Sequence, residues 1–149
     1  IGMLLQGVSR VQDLVWAPGD AANGLPTIRW GDLWLQNEKE FSRYNFEEAD
    51  VPGHFEMFKF WEGEAARLLD AGMVMPGYDA VIKCSHLFNV LDARGAISVS
   101  ERVGFIATVR RLARKASEAY VAQRRELGFP LIADSAERGK WLAPVEAEA

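Results

Sequence analysis

The chain has one cysteine and two histidines in 149 residues, and no apolar run approaches the roughly 20 residues that span a bilayer. A lone thiol, Cys84, excludes an internal disulfide and fits a reducing, cytoplasmic setting. The opening "IGMLLQGVSR" is too short for a signal peptide and has no basic leader before its apolar part. There is no glycine-rich phosphate loop, no serine elbow and no paired-carboxylate spacing, so no residue is nominated as catalytic or cofactor-binding. Cys84 and His86 invite a metal reading, but two positions apart on a helix they point about 200° from each other. His54 is remote in sequence. The plainer reading is a buried thiol beside a surface imidazole, with no metal ligand.

What is present is enough for a core. Apolar residues make up 49% of the chain, and a domain of this length buries roughly 68–70% of its unfolded surface. The net charge of −4 gives no global attraction for nucleic acid. Its distribution is uneven: residues 36–70 carry nine acids against four bases, and residues 98–126 carry seven bases against three acids.

The dominant period is helical, and no period-two pattern lasts long enough to mark a strand. We expect an all-α fold, a single helical domain of about four to six helices with a flexible C-terminal tail. Residues 1–16 read as a helix end, weakened at Gly7, with its flank. Residues 17–29, "APGDAANGLPTIR", read as a loop. The helical domain spans 30–131. Its first helix runs from Trp30 to Tyr44, and a second starts at an Asp50 N-cap with Pro52 in the first turn and ends near Gly72. A third runs from Pro76 to about Ala93. The fourth starts with a capping box, Ser98 with Glu101, and buries Phe105, Ile106, Val109, Leu112, Ala113, Ala116 and Tyr120 until Gly128 and Pro130 stop it. The polar tail, 132–149, has one candidate anchor, Trp141. Between the third and fourth helices, Asp92, Arg94, Gly95, Ser98 and Glu101 read as a structural corner. Gly95 supplies a left-handed turn there, and Asp92 and Arg94 brace it.

One cluster invites a partner. Arg110 and Arg114 share one stripe of the fourth helix, and Arg111 and Lys115 share the next. These cations can meet RNA phosphates, contact another subunit, pair with the acidic 36–70 segment or stay solvated. Aromatic residues for base stacking are not interleaved with them. A stand-alone RNA-binding or protein-interaction module using the basic face of residues 102–115 is therefore the alternative function.

The blocks "VQDLVW" (11–16), "WGDLWLQNEKEFSRYNFEEADV" (30–51), "KCSHLFNVLDARGAISVSERVGFI" (83–106) and "AYVAQRRELGFPL" (119–131) resemble the alpha subunit of bacterial heterotetrameric glycyl-tRNA synthetase, a class II aminoacyl-tRNA synthetase. The resemblance covers its C-terminal half, and the family's "GLER" motif would lie just ahead of Ile1. It implies that the catalytic core precedes these residues, so the family's catalytic residues have no counterparts here and the chain alone is expected to be an inactive fragment. It also implies ATP with magnesium for the parent enzyme. The implied partners are a second alpha subunit, the beta subunit and glycine tRNA held by the complex, with no membrane. The role it implies is active-site buttressing and subunit contact.

Overall fold

The computed structural model describes residues 1–143. They are largely helical, with one small sheet, and divide into two compact units, Ile1–Ala49 and the residues from Asp50 onward.

The first unit opens with α1, Gly2–Gln6, which ends at Gly7 in the left-handed conformation (φ 64°). A short antiparallel pair follows, β1 (Val15–Ala17) and β2 (Ile28–Arg29), with Val15 opposite Arg29 and Ala17 opposite Ile28. The irregular register between Val15 and Ala17 leaves Trp16 as a bulge. The Gln6 amide pairs with one strand residue in both directions: its Nε2 donates to the Val15 carbonyl at 3.0 Å and its Oε1 accepts from the Val15 N–H at 2.7 Å. The expected loop thus carries a hairpin too short and too interrupted for alternation to reveal.

Helix α2 spans Trp30–Arg43, and its first turn is closed by the Asp32 carboxylate, which accepts from the Arg29 N–H at 2.7 Å. A wider π-helical turn, Tyr44–Glu48, follows. Of this unit only Ala49 is buried, while Trp34, Phe41 and Phe46 are exposed.

The second unit contains α3 (Val51–Asp70), α4 (Val74–Ala93), α5 (Val99–Glu126) and α6 (Ser135–Leu142). Asp50 holds the N-cap position of α3 without a side-chain capping bond, and Pro52 occupies the first turn, where a missing N–H is no loss. Helix α4 begins at Val74 rather than at Pro76 for the same reason: proline is tolerated inside a first turn, so it does not mark the start. Helices α3, α4 and α5 end alike. After each, a glycine with positive φ (Gly72, Gly95, Gly128) returns its N–H to the carbonyl three back, and the next N–H reaches five back, as in Ala96 to Leu91 at 3.0 Å.

The core lies where α3, α4 and α5 meet. Phe58, Ala65 and Leu69 pack against Ala80, Val81, Cys84 and Leu87, with Leu112 and Ala116 closing the third side. A fully buried leucine such as Leu112 contributes about 1.5–3 kcal/mol. Phe105 joins the helices, its ring 4.7 Å from Phe58 and 6.1 Å from both Phe55 and Phe88. A Cβ on Gly77 would come within 2.7 Å of the Leu69 side chain, so glycine permits the close approach of α3 and α4. The expected apolar stripe of α5 packs inward up to Ala116, whereas Tyr120 is 40% exposed. The stripe outlasts the helices that could cover it.

Part of the expected tail is helical. Helix α6 starts at Asp134, whose Oδ1 accepts from the Glu137 N–H at 2.7 Å, and the Trp141 ring lies 6.1 Å from Phe129. The remainder of that tail, 144–149, lies outside the described residues.

Candidate functional site

The basic cluster of α5 and the corner that begins this helix are the two places nominated by sequence. The cluster divides by stripe. Arg111 Nη2 donates to Glu62 Oε1 at 3.1 Å and Lys115 Nζ to Asp70 Oδ1 at 2.5 Å, so this stripe is tied to α3. On the other stripe Arg114 pairs along its own helix with Glu118 at 2.8 Å, which raises the Arg114 pKa through that hydrogen bond. Arg110 is exposed and forms no ion pair among the described residues. Pairs this exposed are worth about 0–1 kcal/mol each. The two that reach α3 orient α5 on it more than they stabilise it, and with the pair inside α5 they occupy three of the four cations.

The corner from Leu91 to Glu101 is built from hydrogen bonds. Gly95 sits at φ 65°, and a Cβ there would meet nothing within 4 Å. Ser98 and Glu101 then form the expected reciprocal cap: the Glu101 N–H donates to Ser98 Oγ at 3.3 Å, and Glu101 Oε2 accepts from the Ser98 N–H at 2.9 Å and its hydroxyl at 2.5 Å. Those bonds from Ser98, the hydroxyl first, lower the Glu101 pKa. Asp92 braces the corner through Arg102, across the turn. No local pattern pairs Arg102, the first residue of the nominated basic face, with Asp92, because a partner ten residues away becomes a neighbour only once Gly95 reverses the chain. Glu62 and Asp70, the α3 partners of the cluster, were visible only as members of an acidic segment.

Cys84 is fully buried, its Sγ 3.9 Å from the Phe58 carbonyl, and burial, reinforced by Glu62, pushes its pKa up to about 11. His86 is exposed, and His54 is buried with Nδ1 2.6 Å from the Asp50 carbonyl. Among the described residues no three His, Cys, Asp or Glu side chains converge on a possible metal position.

One concave surface of the first unit is polar, bordered by Glu38, Lys39, Ser42, Arg43 and Glu47, and those of the second unit are mainly apolar. A cavity of about 410 Å³ lies between the start of α4 and α5, lined by Val74, Met75, Tyr78, Ala116, Tyr120 and Val121 among others. Another, of about 370 Å³, is bordered by Trp61, Ile82 and His86, with Lys83 Nζ 3.8 Å from the Trp61 ring centre.

With a helical corner, a cross-braced long helix and no metal-binding cluster among the described residues, the geometry alone names no reaction. The family model for the glycyl-tRNA synthetase alpha subunit matches residues 1–125.

The chain belongs to that family.

The match runs from α1 to the last turn of α5 and takes in both candidate sites. Glycyl-tRNA synthetase is an aminoacyl-tRNA ligase of translation, so the corner and the cross-braced α5 are features of an alpha subunit within that enzyme. The turn after α5 and α6 follow the matched residues. No helix of the described residues is long and apolar enough to cross a membrane.

Proposed function

We propose that these residues form a helical support of the glycyl-tRNA synthetase alpha subunit, which buttresses the active site and docks partner subunits while the whole enzyme charges glycine tRNA. The observation that carries this reading is the contrast between core and surface. Helices α3, α4 and α5 share a dense core, yet Met57, Phe60, Met75, Tyr78 and Ile82 stand exposed around it. On this reading those apolar side chains are the surface that partner subunits cover. A second alpha subunit and the beta subunit are the partners proposed for it, in a cytoplasmic heterotetramer.

ATP and magnesium belong, on this reading, to the parent enzyme's catalytic core. The cavity between α4 and α5 and the one between α3 and α4 are lined mainly by apolar and aromatic side chains, which suits contact with protein more than with a nucleotide. The 149-residue chain is accordingly proposed to be inactive by itself. The alternative, a stand-alone RNA-binding face over residues 102–115, is disfavoured because Arg102, Arg111, Arg114 and Lys115 are each paired with a carboxylate.

Glycine-dependent ATP–pyrophosphate exchange tests the reading. The 149-residue chain should give no exchange, and the alpha chain extended at its N-terminus and mixed with beta should give it. Exchange by the shorter chain would overturn the supporting role.

A further inference from the structure

We infer that residues 129–142 form a detachable strap over an apolar groove at the end of α5, and that its release sets how much of this groove the protein exposes. Tyr120 and Val121 line two cavities at once, one of about 410 Å³ toward α4 and one of about 250 Å³ beneath Phe129, Ile132 and Trp141. They form one groove, bordered by α4 on one side and flanked by the strap on the other, with Tyr120 and Val121 still partly exposed between them. The segment that shields the far side is therefore part of this same chain.

Four observations make the strap a removable one. First, it fits loosely: a cleft of about 250 Å³ open to solvent separates it from the end of α5, and Trp141 stays half exposed. Second, α6 is short, at eight residues, contains Gly139 and buries no side chain. A helix of that length is marginal in water, and an internal glycine weakens it further.

Third, the attachments are few. Arg125 Nη1 donates to the carbonyls of Ala143 at 2.9 Å and Leu142 at 3.4 Å, and the Phe129 and Trp141 rings meet at 6.1 Å. The other bonds of α6, from Lys140 and Trp141 to Glu137 and from Glu137 to Asp134, are internal and travel with it when it lifts. Fourth, the hinge is strained. Phe129 has φ 47°, the only non-glycine with positive φ among the described residues, directly after Gly128 at φ 69°. An aromatic residue is disfavoured in that conformation, so closure holds strain that opening relieves.

Hydrogen exchange on the full chain, read by mass spectrometry, tests the strap. Amides of α6 should exchange about 100-fold or more faster than those around Leu112. Arg125→Ala should speed α6 exchange by about tenfold more and raise the fluorescence of a bound apolar dye, with protection in α3 and α4 unchanged. Trp141→Leu should act in the same direction. Equal protection of α6 and the middle of α5 in the unaltered chain would overturn the proposal. So would α6 exchange indifferent to both substitutions, or faster α6 exchange with no gain in dye fluorescence.

Discussion

At Gly95 a backbone requirement can be separated from packing. A Cβ added there would touch nothing, so a larger residue should fit in space and fail only on conformation, at φ 65°. Holding an ordinary residue in the left-handed region costs about 1–2 kcal/mol. Gly95→Val should therefore lower the melting temperature by that much stability, and Gly95→Asn by less, since asparagine tolerates the region. Equal melting temperatures for the valine variant and the parent would contradict the conformation. Such residue-scale facts were legible in part. Gly95 and the Ser98–Glu101 pair declare themselves by type and spacing, whereas the Asp92–Arg102 bridge depends on the turn between them, which no local pattern specifies.

Among the elements, α5 was the most readable because a reciprocal cap, an apolar stripe and a glycine stop agree along one helix. The cap also carries a pH signature. The Glu101 pKa is lowered in the folded chain, mainly by the Ser98 hydroxyl and then by the Ser98 N–H. A lowered carboxylate stabilises the fold fully above the ordinary value of 4.5 and loses that contribution as pH falls through the folded value. The melting temperature of the parent should exceed that of Glu101→Gln near neutrality, and the gap should close toward pH 3. A gap independent of pH would mean that the charge does nothing for the cap.

Other elements stayed hidden for physical reasons. The β1–β2 pair has only a few residues and a bulge at Trp16, so alternation never develops. Helix α6 has only eight residues, half of them polar, and buries no side chain, so no apolar stripe develops along it.

For the whole molecule the contrast is between two units of unequal burial. The unit from Asp50 holds nearly every buried side chain, and the unit up to Ala49 holds one. Local stability follows burial, so limited trypsin treatment should cut first after Arg10, Arg29, Lys39 or Arg43, or after Arg138 or Lys140 in the strap, and only later within the α3–α5 core. First cuts at Arg111 or Lys115 would reverse that order.

The lone thiol of Cys84 makes the same core measurable from within. With its pKa pushed up to about 11 and no exposed surface, Cys84 is nearly all thiol at pH 8, with about one molecule in a thousand ionised even before access is considered. Alkylation of the native chain must therefore wait for α3, α4 and α5 to part. In the absence of any other cysteine, a single mass increment then serves as a clock for core opening, with no label to introduce and no second site to subtract. The labelling rate should rise with denaturant in step with global unfolding, and rapid labelling under native conditions would show that the three helices separate far more often than their packing implies.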